Sequence, residues 1–340
     1  MNFALSACGT PSVRRDSPFI LHGWRRGLVF AIAVASGVTA AAADEITLRT
    51  DSGVGVVRSE GEVVEMTGTE VVLSTPAGRR TFDADRLVEL KTSRTEPHRR
   101  ALAAIADREY AAAADALEDA LRAEPRAWMR RQILAARVRV LLALGDRPAA
   151  GDAFLSLLDS DPTSADFPLI PLPWALAAPS REAAASARGW IEEPGEPARL
   201  LGAAVLIGSA RDRVRASTVL DELAVSLDGR IYHLARAQLW RGRLFEDSPA
   251  RIELTNWETR IGATPHTLRG GPYHLLGLAS AKLGEFERAA AAHLHAATVY
   301  PDDVRRAAED GRLAAAHLRA LGRAAEADAV EAEFAESIEN

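Results

Sequence analysis

The chain has 340 residues, 48% of them hydrophobic and 26% charged, with a formal net charge of −6. It is long enough to bury more than one sizeable core, and its acidic balance excludes a general electrostatic affinity for nucleic acid or anionic membrane. Cys8 is the single cysteine, which excludes an intramolecular disulfide and a site built from several thiolates.

The first element is an address. Arg25 and Arg26 precede an apolar run at 28–38, followed by the small residues Ala40 to Ala43 and then Asp44. A basic flank, a short apolar stretch and an Ala-x-Ala site are the pattern of a secretory signal. Residues 1–43 are therefore expected to be cut off after Ala43, delivering the chain to the periplasm or cell envelope. The run falls short of the roughly 20 residues that a spanning helix needs, so membrane contact is expected only through this segment, if it stays uncleaved. Arg25-Arg26 faintly resembles a twin-arginine leader; the ordinary secretory route is the expectation. Leu5-Ser6-Ala7-Cys8 has the spelling of a lipoprotein box, but no charged flank or apolar helix precedes it.

From 46 to 91 the pattern has the period of strands, at 46–49, 54–58, 62–66, 70–74, 79–82 and 87–91. Valine and threonine are frequent there, and turns fall at Asp51-Ser52-Gly53, Thr67-Gly68 and Pro76-Ala77-Gly78. This predicts a small antiparallel β-barrel over 44–93, similar in outline to SH3-like or Sm-like barrels. Phe82 is the sole aromatic of that stretch, which argues against a groove for proline-rich peptides and against base stacking. A structural or docking role is expected.

At Pro97 the period changes to that of helices, and it stays so through residue 340. A first pair of helices is predicted over 97–125 and a second over 130–162. The stretch 166–179, with its prolines, cannot be one regular helix. It is expected either to wrap over a neighbouring helix, burying Phe167 and Trp174, or to act as a hinge. Helices follow at 181–191, 197–207, 211–226, 230–245 and 249–261. The clearest unit is 273–301: Gly277 lies in its first helix, Gly284 at the turn, Phe286 after it, Ala289 and Ala296 in the second helix, and Pro301 closes it. Tyr110, Ala113, Ala120 and Pro125 repeat the second half of that pattern; Gly145, Ala150 and Pro162 repeat it again; Gly322 and Ala327 repeat it in a last pair over 304–337.

These echoes resemble tetratricopeptide repeats, helix pairs that stack on copies of one another. The resemblance implies a mainly α protein, an α-solenoid of such hairpins behind the β-barrel. It also implies a concave groove lined by the first helix of each pair, with a protein or peptide partner held there. Candidate groove residues are His98, Arg139, His274, Lys282, Arg312 and Arg319, cationic points suited to an acidic or C-terminal peptide segment. The paired lysine and asparagine residues with which chaperone-binding repeats clamp a terminal carboxylate are missing.

Little in the sequence points to chemistry. His293 and His295 are two apart and do not share a helix face, so one is expected in the core and the other outside, with no shared metal. The sequence holds no glycine-rich phosphate loop, Gly-x-Ser-x-Gly elbow or His-Glu-x-x-His motif. Trp128, Trp190, Trp240 and Trp257 fall in predicted helices and read as packing residues. The expectation is therefore an exported interaction scaffold or assembly factor of the cell envelope, with no cofactor, no nucleic acid and no catalysis. The alternative is an envelope enzyme or glycan-binding protein whose site lies in the irregular middle.

Overall fold

In the computed structural model the described residues are 43–51, 53–299 and 304–339, and they belong to one compact unit, Ala42–Asn340. The export signal expected over 1–43 lies, but for Ala43, outside the described residues, as does the closing Pro301.

The valine-rich opening forms five strands: β1 (Asp44–Arg49), β2 (Val56–Met66), β3 (Glu70–Thr75), β4 (Gly78–Asp83) and β5 (Leu87–Lys91). All neighbours pair antiparallel, in the order β4-β3-β2-β1-β5. Two predicted strands merge into the single long β2. It pairs with β1 along its first half and with β3 along its second. Gly61 sits where the duties change, and a Cβ there would lie 2.4 Å from the Ser74 carbonyl oxygen.

The expected barrel is corrected to an open sheet. β4 and β5 are its two edges and do not pair; a single turn of 3₁₀ helix, Ala84–Arg86, connects them. Apart from the long β2, the strands are five or six residues, and β4 and β5 are left as edges. The buried face of the sheet is covered by the first helices: Ile46, Leu48, Val63, Val71 and Leu73 share one core with Leu117, Trp128, Met129 and Ile133. The join is polar as well as apolar. Trp128 Nε1 donates to the Val63 carbonyl at 2.9 Å, and the Gly68 amide donates to Asp161 Oδ2 at 2.8 Å.

Thirteen α-helices follow among the described residues. The first four are α1 (Glu96–Ala106), α2 (Tyr110–Ala123), α3 (Ala127–Leu144) and α4 (Arg147–Ser160). The middle holds α5 (Arg181–Trp190), α6 (Glu196–Leu206), α7 (Arg213–Leu223), α8 (Gly229–Glu246) and α9 (Arg251–Ala263). The last four are α10 (Gly270–Lys282), α11 (Phe286–Val299), α12 (Val304–Ala320) and α13 (Ala324–Glu339).

Four hairpins, α1–α2, α3–α4, α10–α11 and α12–α13, turn in the same way. Gly145, Gly284 and Gly322 take positive φ values of 81°, 72° and 76°, and Arg108 occupies the equivalent place with φ 59°. In each case the amide of that residue bonds the carbonyl three residues back, and the next amide bonds the carbonyl five residues back from itself. This closes the helix C-terminus in the left-handed manner that favours glycine. Five residues past each turn residue stands an alanine: Ala113, Ala150, Ala289 and Ala327 are all 0% exposed.

The proline-rich stretch wraps rather than hinges. Phe167, Ile170, Leu172 and Trp174 are buried, and Trp174 lies so close to α10 that a Cβ on Gly271 would stand 2.0 Å from its ring. The strap's carbonyls are held from α8. Gln238 Nε2 donates to Pro173 at 3.1 Å, and Arg241 Nε donates to Ala175 at 2.9 Å. A second arm of Arg241 reaches the Ala204 carbonyl at 2.8 Å. Burial, with Arg147 and Arg213 nearby, pulls the Arg241 pKa down to about 9, so the side chain remains a cation at neutral pH, solvated by backbone oxygens.

Candidate functional site

Two places gather polar chemistry. The first is the joint of α10, α11 and α12. Gly277 leaves α10 bare enough for the His293 ring to lie on it; a Cβ there would be 2.5 Å from His293 Nε2. From α12, Asp310 enters almost wholly buried. His274 Nδ1 and His293 Nδ1 each lie 2.7 Å from the same oxygen, Asp310 Oδ1. An ionised carboxylate only accepts, so both nitrogens donate. Burial opposes the Asp310 charge, but the hydrogen bonds and charges of His274 and His293 together outweigh it and hold the carboxyl below its ordinary pKa. His317 stacks on His293 with ring centroids 5.6 Å apart and on Phe286 at 5.8 Å. Burial, then the His293 charge, keeps the His317 pKa low.

The ligand atoms of His274, His293 and Asp310 fall within 4.8 Å of one another, close enough to be asked to hold a metal. Both imidazole Nδ1 atoms are already engaged with Asp310, and a structural tetrahedral site would need a fourth ligand. The arrangement is explained as a hydrogen-bonded core. His293 is buried and His295 exposed, the division that their spacing predicts. Asp310 was invisible in that reading, because nothing in the spacing of α10, α11 and α12 announces which carboxylate meets the two rings.

The six candidate groove residues divide into two buried rings and four exposed cations. His98 is buried in α1 with its Nδ1 unpartnered, and burial, then Arg94, lowers its pKa. His274 is buried in the joint just described. Neither ring is open to a partner. Arg139, Lys282, Arg312 and Arg319 are exposed. Arg139 pairs with Asp166 at 3.2 Å, and Arg319 pairs with Asp328 and Glu331. Lys282 Nζ caps α8 at the Leu244 carbonyl, 2.7 Å away, and Arg312 Nε reaches back to the Ala308 carbonyl at 3.3 Å.

The second place is a cleft of about 410 Å³ between α8 and α9. Tyr232, His233, Arg236 and Trp240 line it from one face of α8; Asn256, Thr259 and Arg260 line it from one face of α9. Trp240 stacks on Trp257 with centroids 4.9 Å apart and planes 9° from parallel. Thr264 Oγ1 and His233 Nδ1, 3.2 Å apart, tie the far end of α9 to α8. No carboxylate lines the cleft. Arg236 lies over the Tyr232 ring and donates to its hydroxyl at 3.1 Å. Neighbouring Arg251 and Arg288, by contrast, pair with Glu285 and Glu258. Burial, then the Arg236 charge, lowers the His233 pKa. The signal that could have found this site is the i, i+4 spacing of Arg236 with Trp240 and of Asn256 with Arg260 on consecutive helices.

No protein-family model matches the chain, and a search of curated proteins finds no match. Among the described residues no helix is long and apolar enough to cross a membrane.

Proposed function

We propose that the chain is an exported protein–protein interaction scaffold or assembly factor of the cell envelope. Its hairpins, similar to tetratricopeptide repeats, stack as a solenoid and hold a partner segment in the concave groove. The observation that carries this reading is the repetition of one device: four hairpins with the same left-handed turn residue and the same fully buried alanine five residues on. Repeats built on small contact residues present a continuous surface whose main use is to hold another chain. Arg139, Lys282, Arg312 and Arg319 supply its cationic points; His98 and His274 support the helices from inside. An acidic partner segment would compete with Asp166 for Arg139 and with Asp328 and Glu331 for Arg319.

The test is an affinity pull-down from envelope extracts, repeated with Arg139→Glu, Lys282→Glu and Arg319→Glu combined. One stoichiometric partner, lost on charge reversal, is the expected result. Equal binding by the reversed protein overturns the groove.

A second reading has one specific observation in its favour. The α8–α9 cleft lies in the middle of the chain, where a glycan-binding or enzymatic site was the alternative expectation. Purified protein that binds or turns over a glycan without any partner would favour it.

A further inference from the structure

The α8–α9 cleft has a charge problem that a ligand would solve. Arg236 lines it from α8 and Arg260 from α9, His233 lines it as well, and no carboxylate is among the lining residues. Two guanidinium groups facing a common cleft repel, and they gain most from an anion placed between them, which each can bind through two parallel N–H donors. The chain as a whole is acidic, so this local excess of positive charge runs against its average.

The remaining walls narrow the anion. Trp240 is only partly buried, while its stacking partner Trp257 is almost wholly buried, so the pair offers a rigid, flat indole to a ring of comparable size. Tyr232, Asn256 and Thr259 bring a phenol, an amide and a hydroxyl to the same space. A purely aromatic acid would leave these polar groups unmatched, and an inorganic anion would leave the indole unused. Sites of this kind are mostly apolar with a few convergent polar groups; here the polar groups and the cations dominate.

We propose that the α8–α9 cleft binds an acidic sugar, with the carboxylate between Arg236 and Arg260, the ring on Trp240 and the hydroxyls hydrogen-bonded by Asn256, Thr259 and Tyr232. The proposal rests on the glycan reading of the cleft and narrows it to uronic-acid chemistry. It is independent of the scaffold reading, which concerns other helices.

Purified protein is titrated by calorimetry with D-glucuronate, D-glucose, benzoate and inorganic phosphate, for the wild type, Arg236→Gln and Arg260→Gln. Both substitutions fall on side chains outside the core, and an unchanged circular-dichroism melt establishes that the variants fold. Glucuronate is expected to bind the wild type and to bind each variant at least about tenfold more weakly, the size of a lost hydrogen bond to a charged group. Glucose binding as tightly as glucuronate leaves the glycan reading standing and overturns the acidic class. Benzoate or phosphate binding as tightly as glucuronate overturns the sugar. Binding of none of them removes both the proposal and the glycan reading of this cleft, as does equal affinity in wild type and variants. A glucuronate oligomer that binds more tightly than the monomer identifies a polymer as the source; equal affinity identifies the free sugar.

Discussion

At the scale of single residues, two positions carry unusual constraints. Arg108 holds the left-handed conformation that glycine takes in the three equivalent turns, and a side chain in that region costs about 1–2 kcal/mol. Arg108→Gly is therefore expected to stabilise the protein by about 1 kcal/mol, after the loss of glycine's extra entropy in the unfolded chain, read as a higher melting temperature. Asp310 is the second. Its carboxylate accepts from both His274 and His293, so Asp310→Asn removes the charge while keeping the shape. The expected loss is about 2–4 kcal/mol in urea unfolding at neutral pH, since two buried donors lose an ionised acceptor. The lowered Asp310 pKa fixes the sign with pH. The carboxylate contributes fully above its unfolded value, near 4, and that contribution fades as pH falls through the lower folded value. His98, His233 and His317 act higher on the scale. All three have pKa values lowered chiefly by burial, so below about 6.5 the unfolded chain takes up protons first and stability declines. The wild type is expected to lose stability in two steps on acidification, and Asp310→Asn to reduce only the lower one, in which Glu124 and Asp228, also held below their ordinary pKa by arginine partners, take part.

At the scale of elements, the same turn and the same buried alanine recur because each hairpin solves the same problem, bringing two helix axes close over a short connection. Ala289 is 0% exposed, so Ala289→Leu is expected to overpack the joint and cost about 1–3 kcal/mol; an unchanged melting temperature would remove the alignment of the four hairpins. These positions were legible in the sequence, since glycine at a turn and alanine at a contact are local demands written in single letters. Helix positions in the middle were legible too, from periodicity. What joins them was not. The strap at 166–179 is held by Gln238 and Arg241 from more than sixty residues away, and the presence of Arg236 and Arg260 in one cleft depends on how α8 and α9 are placed. Periodicity reports which face of a helix is buried, and it is silent on which neighbour covers it. The sheet failed for the opposite reason: alternation located the strands, but closure depends on whether β4 reaches β5, a question of edges that the pattern of residues does not contain.

At the scale of the molecule, the open sheet and the first helices stand or fall together. The buried face of β1, β2 and β3 has no core of its own; Ile46, Val63, Val71 and Leu73 pack into the same cluster as Leu117, Trp128 and Ile133. Trp128 links the two through its bond to the Val63 carbonyl, and Arg131 reinforces the seam by donating to the Met66 carbonyl at 2.8 Å and to Ser160 Oγ at 3.1 Å. Separating them would expose apolar surface on both sides and leave a buried indole N–H without an acceptor, so neither part has a reason to unfold first. Sheet and first helices are accordingly expected to melt in one transition when followed by far-ultraviolet circular dichroism and by amide exchange at Val63, Val71 and Ile133. Trp128→Ala is expected to lower that shared transition by about 3–5 kcal/mol, the cost of emptying a large buried side chain, and to move the strand amides and the helix amides by the same amount. Strand amides that exchange well before those of α3 in the wild type would show the sheet to be a separate unit and overturn the shared core.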